Sequence, residues 1–226
     1  MKLYTSLGRY ILRQEDSVKY PVVIVAEKEH LVSPQEMVLW SCSLWQIYTY
    51  EELHRSYCRQ LELAGLCPEM PFEDCLQRLL TRGLLAEGCE HLKADALYGL
   101  LSNLFIVPLR ESLFARCVAF VKLLWDGIPA ERARQAFVRP CYNAREKETM
   151  RMALNQPLTT AELIRCEDLH VPAPCTEEEV IDALYADGYT TSANIASLSR
   201  HSPAQPEILN AVANLYLKKA VVLDRA

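Results

Sequence analysis

The sequence predicts a mainly α fold with small β strands (α+β), in which two modules at the ends of the chain are joined by a helical middle. Three observations lead to this fold class. Three helical segments followed by a short strand occur near the N-terminus and again near the C-terminus. Half of the 226 residues are hydrophobic, which is enough to build a real core. Runs of β-branched apolar residues, which are typical of strands, are short, as in residues 21–26.

The first helix is predicted from a capping box. Residues 9–32 are extended in character and end at Ser33, whose hydroxyl suits an N-cap. Pro34 suits the first helical position, and Glu36 completes the box. The apolar spacing that follows predicts a helix that runs through Trp45.

Two further helices complete the N-terminal module. Thr49 and Glu52 form a second capping box, and Gly65 ends that helix. Gly83 ends the third helix, and residues 84–88 predict a short strand. The side chains predicted to face inward are Leu53, Tyr57, Leu61 and Leu63 on the second helix, and Phe72, Cys75, Leu76, Leu79 and Leu80 on the third.

The middle of the chain, residues 95–142, also has helical spacing. A first helix stops at Pro108, a second ends at Gly127, and a third spans Glu131–Phe137. The broad apolar face of the second favours either packing against the end modules or a seam between the subunits of a homodimer. That face consists of Leu113, Phe114, Cys117, Phe120, Val121, Leu124 and Trp125.

Residues 143–226 form the second module, for which two registers compete. In the compact register, 176–224, Thr176 caps a helix, residues 190–198 form the first helix of a helix-turn-helix, and residues 204–218 form a longer one. Lys218–Leu223 then corresponds to Thr81–Ala86, at the end of the third helix and the start of the strand. The compact register is favoured because its helices have nearly the spacing of the first module.

The alternative register begins the second module at Asn143. Asn143 and Thr159 open capping boxes 16 residues apart, the same interval as between Ser33 and Thr49. The third helix would then follow an insertion.

This order of helices and strands resembles winged-helix domains. Residues 76–85 are similar to their third helix and first wing strand, and residues 190–223 resemble bacterial winged helix-turn-helix regulators. The extended arm before the segment SPQEMVLW resembles PqqD-like domains, which bind a peptide as an added strand. The resemblances imply a PqqD-like module over 1–94, a helical linker or dimerisation region over 95–142, and a winged helix-turn-helix module over 143–226.

The negative net charge argues against a chain that binds polyanions over its whole surface. The net charge is −5, from 24 basic and 29 acidic residues. Residues 188–226 alone carry a net charge of +2, and binding to phosphates needs clustered cations. Any contact with DNA is therefore expected at the C-terminal module.

The favoured function is a non-enzymatic transcriptional regulator that binds double-stranded DNA through the C-terminal helix-turn-helix. Asparagine and glutamine can read adenine edges in the major groove, and flanking cations can contact phosphates. The residues predicted to contact DNA are Arg200, His201, Gln205, Asn210, Asn214, Lys218 and Lys219.

The alternative function is a peptide- or protein-binding adaptor without DNA binding. The third helix of the first module starts with Glu73 and Asp74, which suit phosphates badly. The strand over 21–26 can accept a peptide strand if it lies at a sheet edge; otherwise the central helices bury it. The residues predicted for this site are Val22, Ile24, Arg78 and Arg82.

No enzyme, cofactor or membrane span is predicted. The sequence contains neither a glycine-rich phosphate loop nor a GxSxG motif. Its uncharged run Ala96–Leu109 has 14 residues, too few to cross a bilayer, and the N-terminus lacks the apolar region of a signal peptide. We therefore expect a cytoplasmic protein with nine reduced cysteines. Cys166, His170 and Cys175 leave a metal site open, but no fourth ligand is visible.

Overall fold

A computed structural model of the chain describes residues 1–15, 18–109, 140–171, 173–174 and 176–225, together with positions 129 and 131. Helices and short strands make up a mixed α+β fold, which agrees with the predicted class. Three predicted features lie outside the described residues: the apolar face between Leu113 and Trp125, residues 132–137 of the third middle helix, and Cys175.

The elements follow one another in two series. The first series consists of β1 (Lys2–Ser6), β2 (Arg9–Glu15), β3 (Val18–Val25), β4 (Lys28–Leu31), α1 (Pro34–Ser43), β5 (Tyr48–Thr49), α2 (Tyr50–Ala64), α3 (Phe72–Thr81), β6 (Leu85–Cys89) and α4 (Lys93–Leu101). The second consists of β7 (Phe105–Pro108), α5 (Ala144–Asn155), β8 (Leu158–Thr159), α6 (Thr160–Asp168), α7 (Glu177–Leu184), α8 (Ile195–Ser199), α9 (Gln205–Leu217) and β9 (Val221–Asp224).

The predicted caps of the first module are confirmed. Glu36 N donates to Ser33 Oγ at 3.2 Å, and Glu36 Oε2 accepts from Ser33 N at 2.8 Å. A capping box at Thr49 starts α2, and Gly65, with φ 64°, caps its end. α1 ends two residues before the predicted Trp45, whose φ of 57° is left-handed.

The inward faces of α2 and α3 are confirmed with one exception. Leu53, Tyr57 and Leu61 are buried, as are four of the five predicted residues of α3, and Leu80 is half-buried. Leu63 was expected to face inward but is 72% exposed. It lies in the last turn of α2, next to the turn at Gly65, where the helix extends past the core.

Two three-stranded antiparallel sheets belong to the first series. β1, which the sequence does not predict, is the central strand of the sheet β5-β1-β6. Leu3 lies opposite Thr49 on one side and Gly88 on the other. The extended residues 9–32 form the second sheet, β2-β3-β4.

The second series repeats the first sheet in the same register. In the sheet β8-β7-β9, Phe105 lies opposite Thr159 and Asp224, and so has the position of Leu3. Residues 105–108, predicted as part of a helix, are therefore the central strand β7. They form a strand because both of their edges are paired in the sheet.

The compact register of the second module is wrong. Asn143 and Thr159 open complete capping boxes on α5 and α6, as Ser33 and Thr49 do on α1 and α2. The second repeat therefore consists of β7, α5, β8, α6, α9 and β9, with α7 and α8 as an insertion. Thr176 caps α7 as predicted. The predicted helix over 190–198 begins only at residue 195, in α8 (Ile195–Ser199).

The third helices of the two repeats end in the same way. Leu84 N donates to Leu79 O at 2.9 Å, and Ala220 N donates to Leu215 O at 2.9 Å. Lys218, the C-cap of α9, therefore corresponds to Arg82, the C-cap of α3. The sequence pattern aligns Lys218 with Thr81, which is one residue too early.

Buried polar contacts join the two repeats. Tyr216 of α9 is fully buried, and its hydroxyl accepts a hydrogen bond from Trp45 N at 2.8 Å and lies 2.8 Å from Thr5 Oγ1. Burial raises the pKa of Tyr216 to about 12. Gly8 N also donates to Leu223 O at 2.7 Å.

In the described ranges, no helix has the length and apolar character needed to cross a bilayer.

Gly88, at the contact between β6 and α4, and Gly99, on the exposed side of α4, give opposite predictions for the same substitution. A Cβ at Gly88 of β6 would lie 2.2 Å from Ala96 O of α4, whereas a Cβ at Gly99 of α4 would meet nothing within 4 Å. Gly88→Ala should destabilise the fold by about 1–3 kcal/mol through overpacking. Gly99→Ala should stabilise it by about 0.5–1 kcal/mol, since alanine favours the helix.

Urea unfolding of both variants and the wild type measures these two changes. Equal effects of the two substitutions would contradict the close approach of α4 to β6.

Candidate functional site

The predicted DNA-contacting residues lie along and around α9, which presents only a narrow exposed stripe. Asn210 and Asn214 are exposed as predicted, but Glu207 shares their side of the helix. Lys218 caps the C-terminal end of α9, which is about 20 Å long at 1.5 Å per residue. Arg200 is the C-cap of α8 and precedes the first residue of α9 by five positions. Most of the helix is in the core through Ile208, Leu209, Ala211, Val212, Ala213, Leu215 and Tyr216.

The half-buried side chain of Lys218 forms an ion pair within the chain. Its Nζ lies 2.6 and 2.8 Å from the two carboxylate oxygens of Glu146 and donates to Cys141 O at 3.0 Å. Glu146 is 1% exposed, at the third position of α5. Burial alone would raise its pKa, but Lys218 and hydrogen bonds from Asn143 and Asn214 hold the pKa below its ordinary value.

Arg200 and Lys219 also contact groups of this chain. Arg200 Nη2 lies 2.9 Å from Glu90 Oε1, and its guanidinium is 5.8 Å from the centre of the Tyr98 ring. Lys219 Nζ lies 5.5 Å from the centre of the Trp45 ring, although the residue remains exposed.

Two other residues of the predicted DNA-contacting set have a different environment. His201 is exposed and Gln205 half-buried. The seven predicted residues therefore do not form one cationic patch.

The predicted peptide-binding arginines make the same kind of pair in the first repeat. Arg82 Nη1 lies 3.2 Å from Glu36 Oε2, and Arg78 Nε lies 3.3 Å from Glu36 Oε1 without hydrogen-bond geometry. Glu36 is 2% exposed. Arg82 Nη2 also donates to Leu31 O, so it joins α3 to the end of β4. The capping glutamates were visible in the sequence, but their burial and their cation partners were not.

The condition for peptide addition at residues 21–26, a position at a sheet edge, is not met. Val22 and Ile24 lie on β3, which is paired with β2 on one side and β4 on the other. A peptide cannot add to β3 at Val22 and Ile24, because β2 pairs with one side of these residues and β4 with the other. Val22 is also 1% exposed.

β2 is an edge of this sheet. In the part of the chain that the structure describes, β3 alone pairs with it. Tyr10 and Leu12 are 51% and 63% exposed and lie on one face, opposite Val23 and Pro21. The Tyr10 ring packs edge-on against Trp40 with a centroid distance of 6.2 Å, which connects this face to α1.

The open question of a metal site concerns Cys166 and His170. Cys166 is buried, and burial raises the pKa of its thiol to about 12, whereas His170 is exposed. Across the described positions, which do not include Cys175, no three His, Cys, Asp or Glu side chains are arranged to hold a metal ion.

Comparisons of the chain with protein-family models, curated proteins and solved structures found no match.

Lys218→Met should destabilise the protein by about 3 kcal/mol at neutral pH, because it leaves the Glu146 carboxylate buried without its cation. The folded-state pKa of Glu146 is lowered, so its contribution to stability is present above the ordinary pKa and is lost as the pH falls through the folded-state value. The stability gap to the wild type should therefore narrow below about pH 4.

Urea unfolding between pH 3 and 7 checks this expectation, with Lys147→Met as the control. Lys147 is an exposed residue next to Glu146, and its substitution should change stability by less than about 0.5 kcal/mol. Equal losses in the two variants would show that the Lys218–Glu146 contact does not stabilise the fold.

Proposed function

We propose that this chain is a non-catalytic protein-binding adaptor, built from two winged-helix-like repeats, that takes up an extended peptide along the outer edge of β2. The resemblance to winged helices is supported by the repeated order of helix, strand, helix, helix and strand. Three-stranded antiparallel sheets in the same register support it further.

The exposed edge of β2 is the observation that carries the adaptor proposal. An edge strand offers unpaired N–H and C=O groups, and native proteins usually protect it with short length, proline or charge. β2 is seven residues long; it has arginines on one face, but it displays the exposed apolar side chains of Tyr10 and Leu12 on the other. These features favour the addition of a peptide strand, with backbone hydrogen bonds for affinity and side-chain contacts for specificity.

The two faces of β2 indicate which peptide fits. Tyr10 and Leu12 share one face, whereas Arg9 and Arg13 lie on the other. Arg13 already forms an ion pair with Glu29 on β4, and Arg9 is exposed. Because side chains alternate along a strand, we expect a peptide that alternates apolar residues with acidic ones.

A DNA-binding regulator is the second proposal. The exposure of His201, Asn210 and Lys219 around α9 favours it. Its weakness is electrostatic, because Lys218 and Arg200 are paired with carboxylates of this chain. Contacts with phosphate would then depend on Lys219 among the predicted cations, and tight binding to DNA requires several such contacts.

A pair of exposed leucines tests the adaptor proposal. Twelve-residue peptides selected from a display library against the wild type should bind about tenfold more weakly to Leu12→Lys, the loss expected for one buried leucine side chain. Leu63→Lys is the matched control, because Leu63 is 72% exposed on α2. Its affinity should be unchanged, and backbone NMR shifts on binding should centre on β2.

Two results would count against the adaptor. In the first, no selected peptide distinguishes Leu12→Lys from Leu63→Lys. In the second, the wild type binds duplex DNA saturably at moderate salt and loses that binding in Lys219→Ala. The second result would favour the regulator, whose affinity should fall steeply with salt.

A further inference from the structure

Glu162 is a buried carboxylate at the third position of α6. It is 8% exposed. Its Oε2 accepts a hydrogen bond from Thr159 N at 2.7 Å, and its Oε1 accepts one from the hydroxyl of Tyr185 at 2.6 Å. Neutral donors do not cancel its charge, and a buried charge is costly without an opposite one.

The other capping glutamates show what is missing at Glu162. Glu36 and Glu146 are also buried, and each forms an ion pair with arginine or lysine from the third helix of its repeat. Glu52 occupies the position of Glu162 in the first repeat but is exposed to solvent. Glu162 therefore combines the burial of the first two with the lack of an ion pair.

The surroundings of Glu162 on α6 do not supply a cation. Within the residues that the structure describes, no lysine, arginine or histidine forms an ion pair with it. Arg165, one turn further along α6, makes no ion pair with Glu162, and its Nε is buried without a hydrogen-bond partner among the described residues.

The insertion of the second repeat builds a cleft over this carboxylate. The cleft has a volume of about 490 Å³ and lies between α7 and the region of β7 and β8. Phe105, Val180, Ile181 and Tyr185 give it apolar walls, and Glu177 adds a second carboxylate. In the described part of the first repeat, no helix corresponds to α7, and Glu52 is accordingly exposed to solvent.

We propose that this cleft binds an organic cation, in which an ammonium or guanidinium group on an apolar body pairs with Glu162. The cation would supply the charge that lysine and arginine supply to the other buried capping glutamates, and the apolar body would contact the walls. A free amine and a lysine side chain of a partner share this chemistry. The proposal is independent of β2 and extends beyond the adaptor function.

Calorimetric titrations of the full chain test this proposal with three probes: n-pentylammonium, its neutral analogue 1-pentanol, and the capped tripeptide acetyl-Ala-Lys-Ala-amide. At least one of the two cations should bind saturably, at least about tenfold more tightly than pentanol, as expected for a charged hydrogen bond. Tighter binding of the tripeptide identifies a partner's side chain as the source, and tighter binding of pentylammonium identifies a free amine.

Two carboxamide variants locate the cation. Glu162→Gln keeps an oxygen that can accept from Thr159 N but removes the charge, and should weaken binding at least about tenfold. Glu52→Gln makes the same change at the exposed counterpart and should leave affinity unchanged. The proposal is overturned if neither cation binds saturably to the wild type, if Glu162→Gln binds equally well, or if Glu52→Gln loses as much affinity.

A third variant tests the proposal independently, in case Glu162→Gln does not fold. Ile181 is 51% exposed at the cleft, so Ile181→Trp should fill part of the cleft without changing stability. Its affinity for the cation should fall at least about threefold, because the apolar body loses room. Unchanged affinity in Ile181→Trp would overturn the proposal even if Glu162→Gln does not fold.

Discussion

The pair between a buried capping glutamate and a cation at the end of the third helix is the interaction on which each repeat depends. Glu36 with Arg82 and Glu146 with Lys218 join the start of the first helix to the cap of the third. Removing one partner of a buried ion pair lowers the free energy of unfolding by about 3–5 kcal/mol, so these cations are needed for the stability of the fold. Cations that are paired with these glutamates are not free to bind phosphate. The same need for a cation makes Glu162, which is buried without an ion pair, a candidate binding site.

The junction around Tyr216 makes the two repeats one structural unit. Its hydroxyl bonds to the turn after α1 and lies close to β1, and Trp45 Nε1 donates to Val221 O at 3.1 Å. The hairpin between β3 and β4 is also fixed, since Ala26 N donates to Asp224 Oδ1 at 2.8 Å. The sheet with β2 at its edge is therefore held to β9 at this hairpin.

Local signals in the sequence predict where the helices start, but they do not predict which distant strands pair. A capping box is complete within four residues, so the starts at Ser33 and Thr49 are correct. β1 and β7 are missed because their first partner strands lie more than 40 residues away. The compact register failed because it relied on helix spacing and set aside the caps at Asn143 and Thr159. Helical periodicity placed Lys218 on an outer face and could not show that its side chain reaches Glu146.

A double-mutant cycle of Glu146→Gln and Lys218→Met measures the central interaction most directly. The exposed pair Glu148–Arg151, with an N–O distance of 2.6 Å, serves as the reference. We predict a coupling free energy of about 2–3 kcal/mol for the buried pair, against at most about 0.5 kcal/mol for the exposed pair. A coupling at Glu146–Lys218 no larger than that of the reference would contradict the account.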